Sequence, residues 1–398
     1  MQFDPNDLKE SNQFLNILLD SVSSAVVIVD RDYRIRQFNG SLGKLFGREP
    51  DEMQGRRCGE ALGCAFAVFE NAPCGDTSQC DKCLLRNSIL AAFRKKGSVR
   101  RKKFSRQFVS GGVPVQKHLA YSIRQIRFNG QELALVIIED ITEQEVRRLE
   151  LVRKQKQLDL DLKAAAGIQS SLLPAAAPDL DGLLASWKFI PCSRIGGDIF
   201  NLFPLGGGRT GCFMMDASGH GVHSALVAVS VSQLLQPACS RLPLASPSEV
   251  CKELDRRFPL NRFNSFFSML YMVLDPGKRI LSWCNAGHPP AVLVRPNGEK
   301  EVLRAGGPII GLGGLLPFHD ARKEIGAGDR IYLYTDGLIE RRNRNGEFLG
   351  IEGLFGAIDK VRGQSLSTSI SLLLGFVMDF GQGAAPADDI SLLGLEVL

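Results

Sequence analysis

In the C-terminal half of the chain, four short acidic motifs stand where apolar runs begin or end. They are Gly196-Gly197-Asp198, then Asp216-Ala217-Ser218-Gly219-His220-Gly221, then Thr335-Asp336-Gly337, and finally Asp388-Asp389-Ile390-Ser391. The second follows the run 212–215, the third follows 331–334, and the fourth leads into 390–397. Apolar runs this short read as buried strands. The aspartates are therefore expected at strand ends, with glycines beside them that let backbone approach closely. Carboxylates on the ends of several strands can meet at one point, but four or more left to themselves repel and resist ionising together. Hard divalent cations such as Mg²⁺ and Mn²⁺, which prefer oxygen ligands, resolve that conflict. Two such ions roughly 4 Å apart can hold a hydroxide and clamp a phosphate oxygen for in-line attack, with no covalent nucleophile. The sequence offers no Gly-x-Ser-x-Gly elbow and no Walker A loop as a competing machinery.

Taken in order with Ala286-Gly287-His288-Pro289-Pro290 and the longer run Tyr334-Thr335-Asp336-Gly337-Leu338-Ile339-Glu340, these motifs resemble the sporulation-phosphatase branch of the metal-dependent protein phosphatases, the PPM superfamily. The resemblance covers nearly all of 182–398. It implies an α-β-β-α sandwich, a centre of two Mn²⁺ or Mg²⁺ ions, and hydrolysis of phosphoserine or phosphothreonine on a small bacterial regulatory protein. A phosphorylated anti-sigma-factor antagonist of the STAS type is the expected partner. Carried over by position, Asp216 bridges both ions, with the Ala217 carbonyl as a further ligand. Asp336 and Asp388 hold one ion, Asp198 holds water on the other, and Asp389 supports them.

One departure is visible. The family's first motif often reads Gly-Gly-Asp-Tyr-Tyr-Asp, whereas here Asp198 is followed by Ile199-Phe200-Asn201. The missing carboxylate at Asn201 leaves a second reading open, a catalytically inactive scaffold that only binds a regulatory partner. A resemblance of 196–200 to the Gly-Gly-Asp-Glu-Phe hairpin of diguanylate cyclases fails, because Ile199 replaces a metal-binding carboxylate. His220 reads as a proton donor to the leaving oxygen or as a helix-start residue, Arg194 as a phosphate contact or a solvated side chain, and His288 as a turn residue.

The N-terminal part differs in texture. An amphipathic helix with Phe14, Ile17 and Leu18 precedes a strand–turn–strand pattern over 25–39, and three further strands are expected at 103–110, 116–127 and 131–139. The hairpin, Asn39 after it and the ending Asp140-Ile141-Thr142 resemble a PAS sensor domain over 10–145. A run rich in Glu, Lys, Arg, Gln and Leu follows over 146–176, with Leu151, Leu158, Leu162, Ala165, Ile168 and Leu172 at helical spacing. We expect a helical linker of coiled-coil character there, a homodimer through it and the PAS domain, and an end at Pro174. The expected organisation is thus α+β: PAS domain 10–145, helical linker 146–176, phosphatase domain 182–398.

Ten cysteines are many for a chain without a recognisable secretory signal, and five of them fall within 58–83. Cys64-x9-Cys74-x5-Cys80-x2-Cys83 has the spacing of a soft-metal thiolate site, suited to zinc or an iron–sulfur cluster, with a redox disulfide as the rival and Cys58 spare. Cys192, Cys212, Cys239, Cys251 and Cys284, scattered among apolar residues, read as small buried hydrophobes. A formal charge of +5 is too mild to argue for nucleic acid, and the seven basic residues in 94–103 read as a solvated loop. No apolar run approaches the roughly 18 residues of a membrane span, so a cytoplasmic location is expected.

Overall fold

The computed structural model describes residues 17–95, 97–128, 130–174, 180–192, 195–219, 221–238 and 240–398. Phe14, Asn129, Arg194, His220, Cys239 and the linker residues 175–179 lie outside them. The chain divides into two compact units, Met1–Gln155 and Lys156–Leu398.

The first unit holds strands β1 (Ala25–Val29), β2 (Ile35–Phe38), β3 (Ser98–Ser110), β4 (Val113–Phe128) and β5 (Gln131–Asp140). They form one antiparallel sheet in the order β2-β1-β5-β4-β3. Period-two alternation turns Ala25, Val27 and Val29 inward. There they meet Leu42 and Phe46 of the helix Gly40–Phe46, Ile89 of the helix Leu84–Lys95, and Tyr121 and Val136 of the sheet. Burying each such side chain contributes roughly 1.5–3 kcal/mol. Asn39 closes the hairpin: its Oδ1 accepts the Val26 N–H at 2.9 Å, and its amide donates to the carbonyls of Leu19 and Ser24 at 2.8 and 3.1 Å. The basic run is not a loop. Residues 100–103 lie on β3 with their side chains exposed, because the long β3–β4 ladder extends pairing back to Ser98.

At the end of β5, Asp140 accepts the Thr142 N–H at 2.9 Å, and Thr142 Oγ1 accepts the His118 N–H at 2.9 Å. This joint starts a 31-residue helix, Thr142–Leu172, with Glu143 and Glu145 in its first turn, where carboxylates suit the helix dipole. It ends just before Pro174, which has no N–H to continue it. The expected apolar stripe divides in two. Leu162, Ala165 and Leu172 are partly buried, whereas Leu151, Leu158 and Ile168 are more than half exposed, as are Val146 and Val152.

The second unit holds β6 (Leu183–Ile190), β7 (Asp198–Gly206), β8 (Arg209–Ala217), β9 (Phe267–Asp275), β10 (Ile280–Ala286), β11 (Ala291–Val294), β12 (Lys300–Leu303), β13 (Gly306–Gly307), β14 (Ala321–Glu324), β15 (Arg330–Tyr334) and β16 (Ile390–Val397). One sheet runs β13-β10-β9-β8-β7 with β14 beside β10; the other runs β12-β11-β15-β16-β6. Phe200, Met214, Leu270 and Met272 of the first sheet share one core with Leu293, Leu333, Leu393 and Leu395 of the second. The outer face of the first sheet, with Phe213 and Tyr271, packs on the helices Val222–Leu235 and Pro247–Arg257. The outer face of the second, with Tyr332 and Leu392, packs on Gly350–Lys360 and Leu366–Phe380. Helices therefore cover both outsides of a pair of stacked sheets, a layering in which the central strands β8, β9, β11, β15 and β16 are buried on two faces and read as continuous apolar runs.

Candidate metal centre

The acidic motifs lie at one end of both sheets. β7 begins at Asp198 and its neighbour β8 ends at Ala217, and the antiparallel register sets Asp198 directly opposite Asp216. In the other sheet β15 ends at Tyr334 and β16 begins at Ile390, so Asp336 and Asp388 flank the same end of an adjacent antiparallel pair. Stacking the sheets brings these two ends together.

Asp198 is buried, and its Oδ2 accepts the Ser391 hydroxyl at 2.7 Å. Ser391 in turn is fixed by Thr335, whose Oγ1 accepts the Ser391 N–H at 3.0 Å. Asp389 is buried too; its Oδ1 accepts the Cys192 N–H at 2.8 Å and its Oδ2 the Asp198 N–H at 3.5 Å. Its own N–H donates to Asp388 Oδ1 at 2.8 Å. Asp389 thus ties the start of β16 to the start of β7 through its carboxylate.

Two glycines make that tie possible. A Cβ on Gly196 would stand 1.9 Å from Asp389 Oδ2, and one on Gly337 would stand 2.1 Å from the Asp389 carbonyl oxygen. Both distances are far inside van der Waals contact. Position 389 is packed from two sides by backbone alone.

The electrostatics express the crowding. Burial, followed by the charges of Asp336, Asp388 and Asp389, pushes the Asp216 carboxyl up to about 8. Burial and then Asp216 push Asp198 well above the ordinary carboxylate range, with Ser391 opposing. Asp336 is raised by burial, then by Asp388 and Glu340. Each aspartate destabilises the ionised form of the next, and a cation between them would reverse the sign of that interaction.

Of the positions expected from the sequence, Asp198 pairs with Asp216 across two strands, and Asp216, Asp336, Asp388 and Asp389 stand near enough to perturb one another or Asp198. Among the described residues, the group whose ligand atoms lie within 4.8 Å of one another is Asp388 and Asp389 with Cys192. Asn201 stays apart. It lies three residues along β7 from Asp198, on the opposite face of the strand, and its Oδ1 accepts the Leu202 N–H at 2.8 Å. His288 is a structural residue: it is buried, its backbone exchanges two hydrogen bonds with the Asn285 side chain at 2.7 and 2.9 Å, and its Nδ1 meets Ser268 Oγ at 2.7 Å.

Two participants are not apparent from sequence. Cys192, expected as a buried hydrophobe, is only half-buried, and its thiol lies with the carboxylates of Asp388 and Asp389 inside a group whose ligand atoms are all within 4.8 Å of one another. Gln169 is buried on the last turns of the long helix. Its Nε2 donates to the Gly196 carbonyl at 2.8 Å and more weakly to that of Asp198 at 3.5 Å, and its Oε1 accepts the Gly196 N–H at 3.2 Å. A lone polar residue on the face shared by Leu162, Ala165 and Leu172 was the available signal for it.

Comparison with known proteins agrees with this layout. Residues 206–398 match the family model described as stage II sporulation protein E, and residues 19–68 match a PAS fold. The phosphoserine phosphatase RsbP of Bacillus subtilis is 31% identical over 153 residues, 37% of this chain and 38% of that protein. The phosphoserine phosphatase RsbU of the same organism is 26% identical over 196 residues, 48% of this chain and 57% of its own length. The chain thus spans only part of these curated relatives. Among solved structures, the SiaA-PP2C domain of Pseudomonas aeruginosa aligns with a TM-score of 0.54 at 20% identity, covering 62% of this chain and 99% of that one. The chain thus carries a segment similar to a PAS fold and, after it, one similar to stage II sporulation protein E, whose fold is that of the SiaA-PP2C domain.

Proposed function

We propose that the protein is a divalent-cation-dependent protein serine phosphatase, acting on a phosphorylated regulatory protein of the STAS-type anti-sigma-factor-antagonist class. The observation that carries this reading is the gathering of five aspartates at one end of the stacked sheets, where each raises or crowds the next. The names of RsbP and RsbU as phosphoserine phosphatases support it.

In this reading Asp198, Asp216, Asp336 and Asp388, with the Ala217 carbonyl, hold two Mn²⁺ or Mg²⁺ ions. Such a pair supplies Lewis acidity and a water made acidic enough to attack phosphorus at neutral pH. The chain's own part is to hold the oxygens in place. Ser391 fixes one rotamer of Asp198, Thr335 fixes Ser391, and Asp389 locks the two strand starts together. No covalent phosphoenzyme is needed, and no serine nucleophile stands on an elbow to form one.

The exposed apolar residues of the long helix, Val146, Leu151, Val152 and Leu158, support a second copy of the chain as partner along it. The test of the activity is phosphate release from a phosphoserine protein with Mn²⁺ added. Wild type should turn over and Asp216→Asn should lose at least about a hundredfold, the scale of removing one preorganised charge-stabilising group. Equal release, or none from either protein, would overturn the proposal, and the latter would favour a binding scaffold.

A further inference from the structure

The cysteine-rich insertion of the first unit plays no part in phosphate chemistry. Between β2 and β3 the chain folds into short helices, Cys58–Ala61 and Ala65–Phe69, then turns before Leu84–Lys95. This arrangement brings Cys64, Cys74, Cys80 and Cys83, with Cys58 beside them, to the wall of one cavity of about 40 Å³. Its remaining wall is apolar apart from Tyr33, Thr77, Arg86 and Arg106. We propose that Cys64, Cys74, Cys80 and Cys83 hold an iron–sulfur cluster in this cavity.

Three observations carry the assignment. First, two of the sulfurs already accept hydrogen bonds. Cys80 Sγ accepts the Gly75 N–H at 3.1 Å and meets Thr77 Oγ1 at 2.9 Å, and Arg106 Nη1 donates to Cys64 Sγ at 3.4 Å. Hydrogen bonds to ligand sulfurs are one of the ways a protein tunes such a cluster.

Second, positive charge is held at the cavity with no carboxylate lining it. Arg86 stacks on the Tyr33 ring at 5.2 Å and Arg106 on Phe66 at 5.1 Å. Arg86 Nε is buried without a hydrogen-bond partner among the described residues. A buried unpaired guanidinium donor is costly, and an anionic thiolate-bound group would meet it.

Third, the spacing of the sulfurs selects a group larger than one ion. Four thiolates about 2.3 Å from a single zinc stand about 3.8 Å from one another. Here no three of the four lie within 4.8 Å of one another. The sulfurs surround a void instead of closing on a point. Cys58, the fifth thiol of the insertion, also borders the cavity but packs with Leu42, Phe46 and Ile89 of the apolar core, and we take it as the spare thiol.

The test uses the full chain, purified without oxygen. We expect iron and acid-labile sulfide in equal amounts, a broad visible absorption that bleaches with dithionite, and no stoichiometric zinc. Cys80→Ser should lose most of both, while Cys58→Ser should keep them; circular dichroism would verify that each variant is folded. As a measurement independent of any variant, the apo-protein would be offered Fe²⁺ with sulfide, or Zn²⁺ alone. Uptake of one zinc per chain with no uptake of iron would overturn the proposal, and so would equal loss in Cys58→Ser and Cys80→Ser. These readouts do not depend on phosphate release, so they stand apart from the activity proposed above.

Discussion

At the scale of single residues, the centre is a set of carboxylates whose orientation is fixed by neighbours that need not touch a ligand. Ser391 is the clearest, a hydroxyl aimed at Asp198 Oδ2. Ser391→Ala should weaken activation by Mn²⁺ by about 10–100-fold, as loss of groups that orient ligands does, measured as the Mn²⁺ concentration giving half-maximal phosphate release. His288 gives a prediction about stability. Burial holds its folded-state value down at about 3, against about 6.5 for a free imidazole. Between those values the unfolded chain binds the extra proton, so stability falls as the pH drops through that window, by up to about 1.4 kcal/mol per pH unit. Above about 6.5 both states are neutral and the effect vanishes. Urea unfolding of wild type and His288→Gln across the window should show a gap between the two proteins that changes with pH below neutrality and is constant above it. The clustered aspartates were legible because they stand at the edges of apolar runs, Asp198 and Asp336 with a glycine beside them. Cys192 was not: its place beside Asp388 and Asp389 is a tertiary fact, to which the bond from its N–H to Asp389 contributes.

At the scale of elements, the strands that flank the centre were legible for the same reason they are stable. β16 was expected within its observed bounds, because buried runs bounded by turn residues leave little choice of register. β6 was missed. Its Trp187 and Lys188 interrupt the apolar pattern, and the strand exists because it pairs along the whole of β16. Helix Leu366–Phe380 was not among the expected elements, since its fit against Tyr332 and Leu392 is a tertiary fact. The long helix tests the element-level reading most directly. Gln169→Ala removes both contacts to Gly196 and should cost about 10–100-fold in Mn²⁺ activation, by the same logic as Ser391. Charged replacements at exposed Leu151 and Leu158, which share one helix face, should leave the second unit folded and convert the proposed dimer to a monomer, seen by light scattering after gel filtration.

For the molecule as a whole, two compact units with separate cores predict two unfolding transitions in place of one. Mn²⁺ at about a hundred times its dissociation constant adds about 2.7 kcal/mol to the unit that binds it. That should raise one calorimetric midpoint by roughly 5–10 °C and leave the other in place, with a chelator reversing the shift. If both move together, or neither moves, the aspartates are not acting as a cation site confined to the second unit. The contacts around Asp389 also constrain how this chain can diverge. Backbone oxygen occupies the space where a side chain at 337 would begin, so that codon is closed to drift whether or not the molecule is still under selection to catalyse, whereas 196 is closed by the Asp389 carboxylate and only for as long as that side chain stays. In a library selected only for soluble expression, 337 should come back as glycine, and a descendant that had lost its chemistry would keep it long after its aspartates had changed, while 196 would open once Asp389 was replaced by a smaller residue.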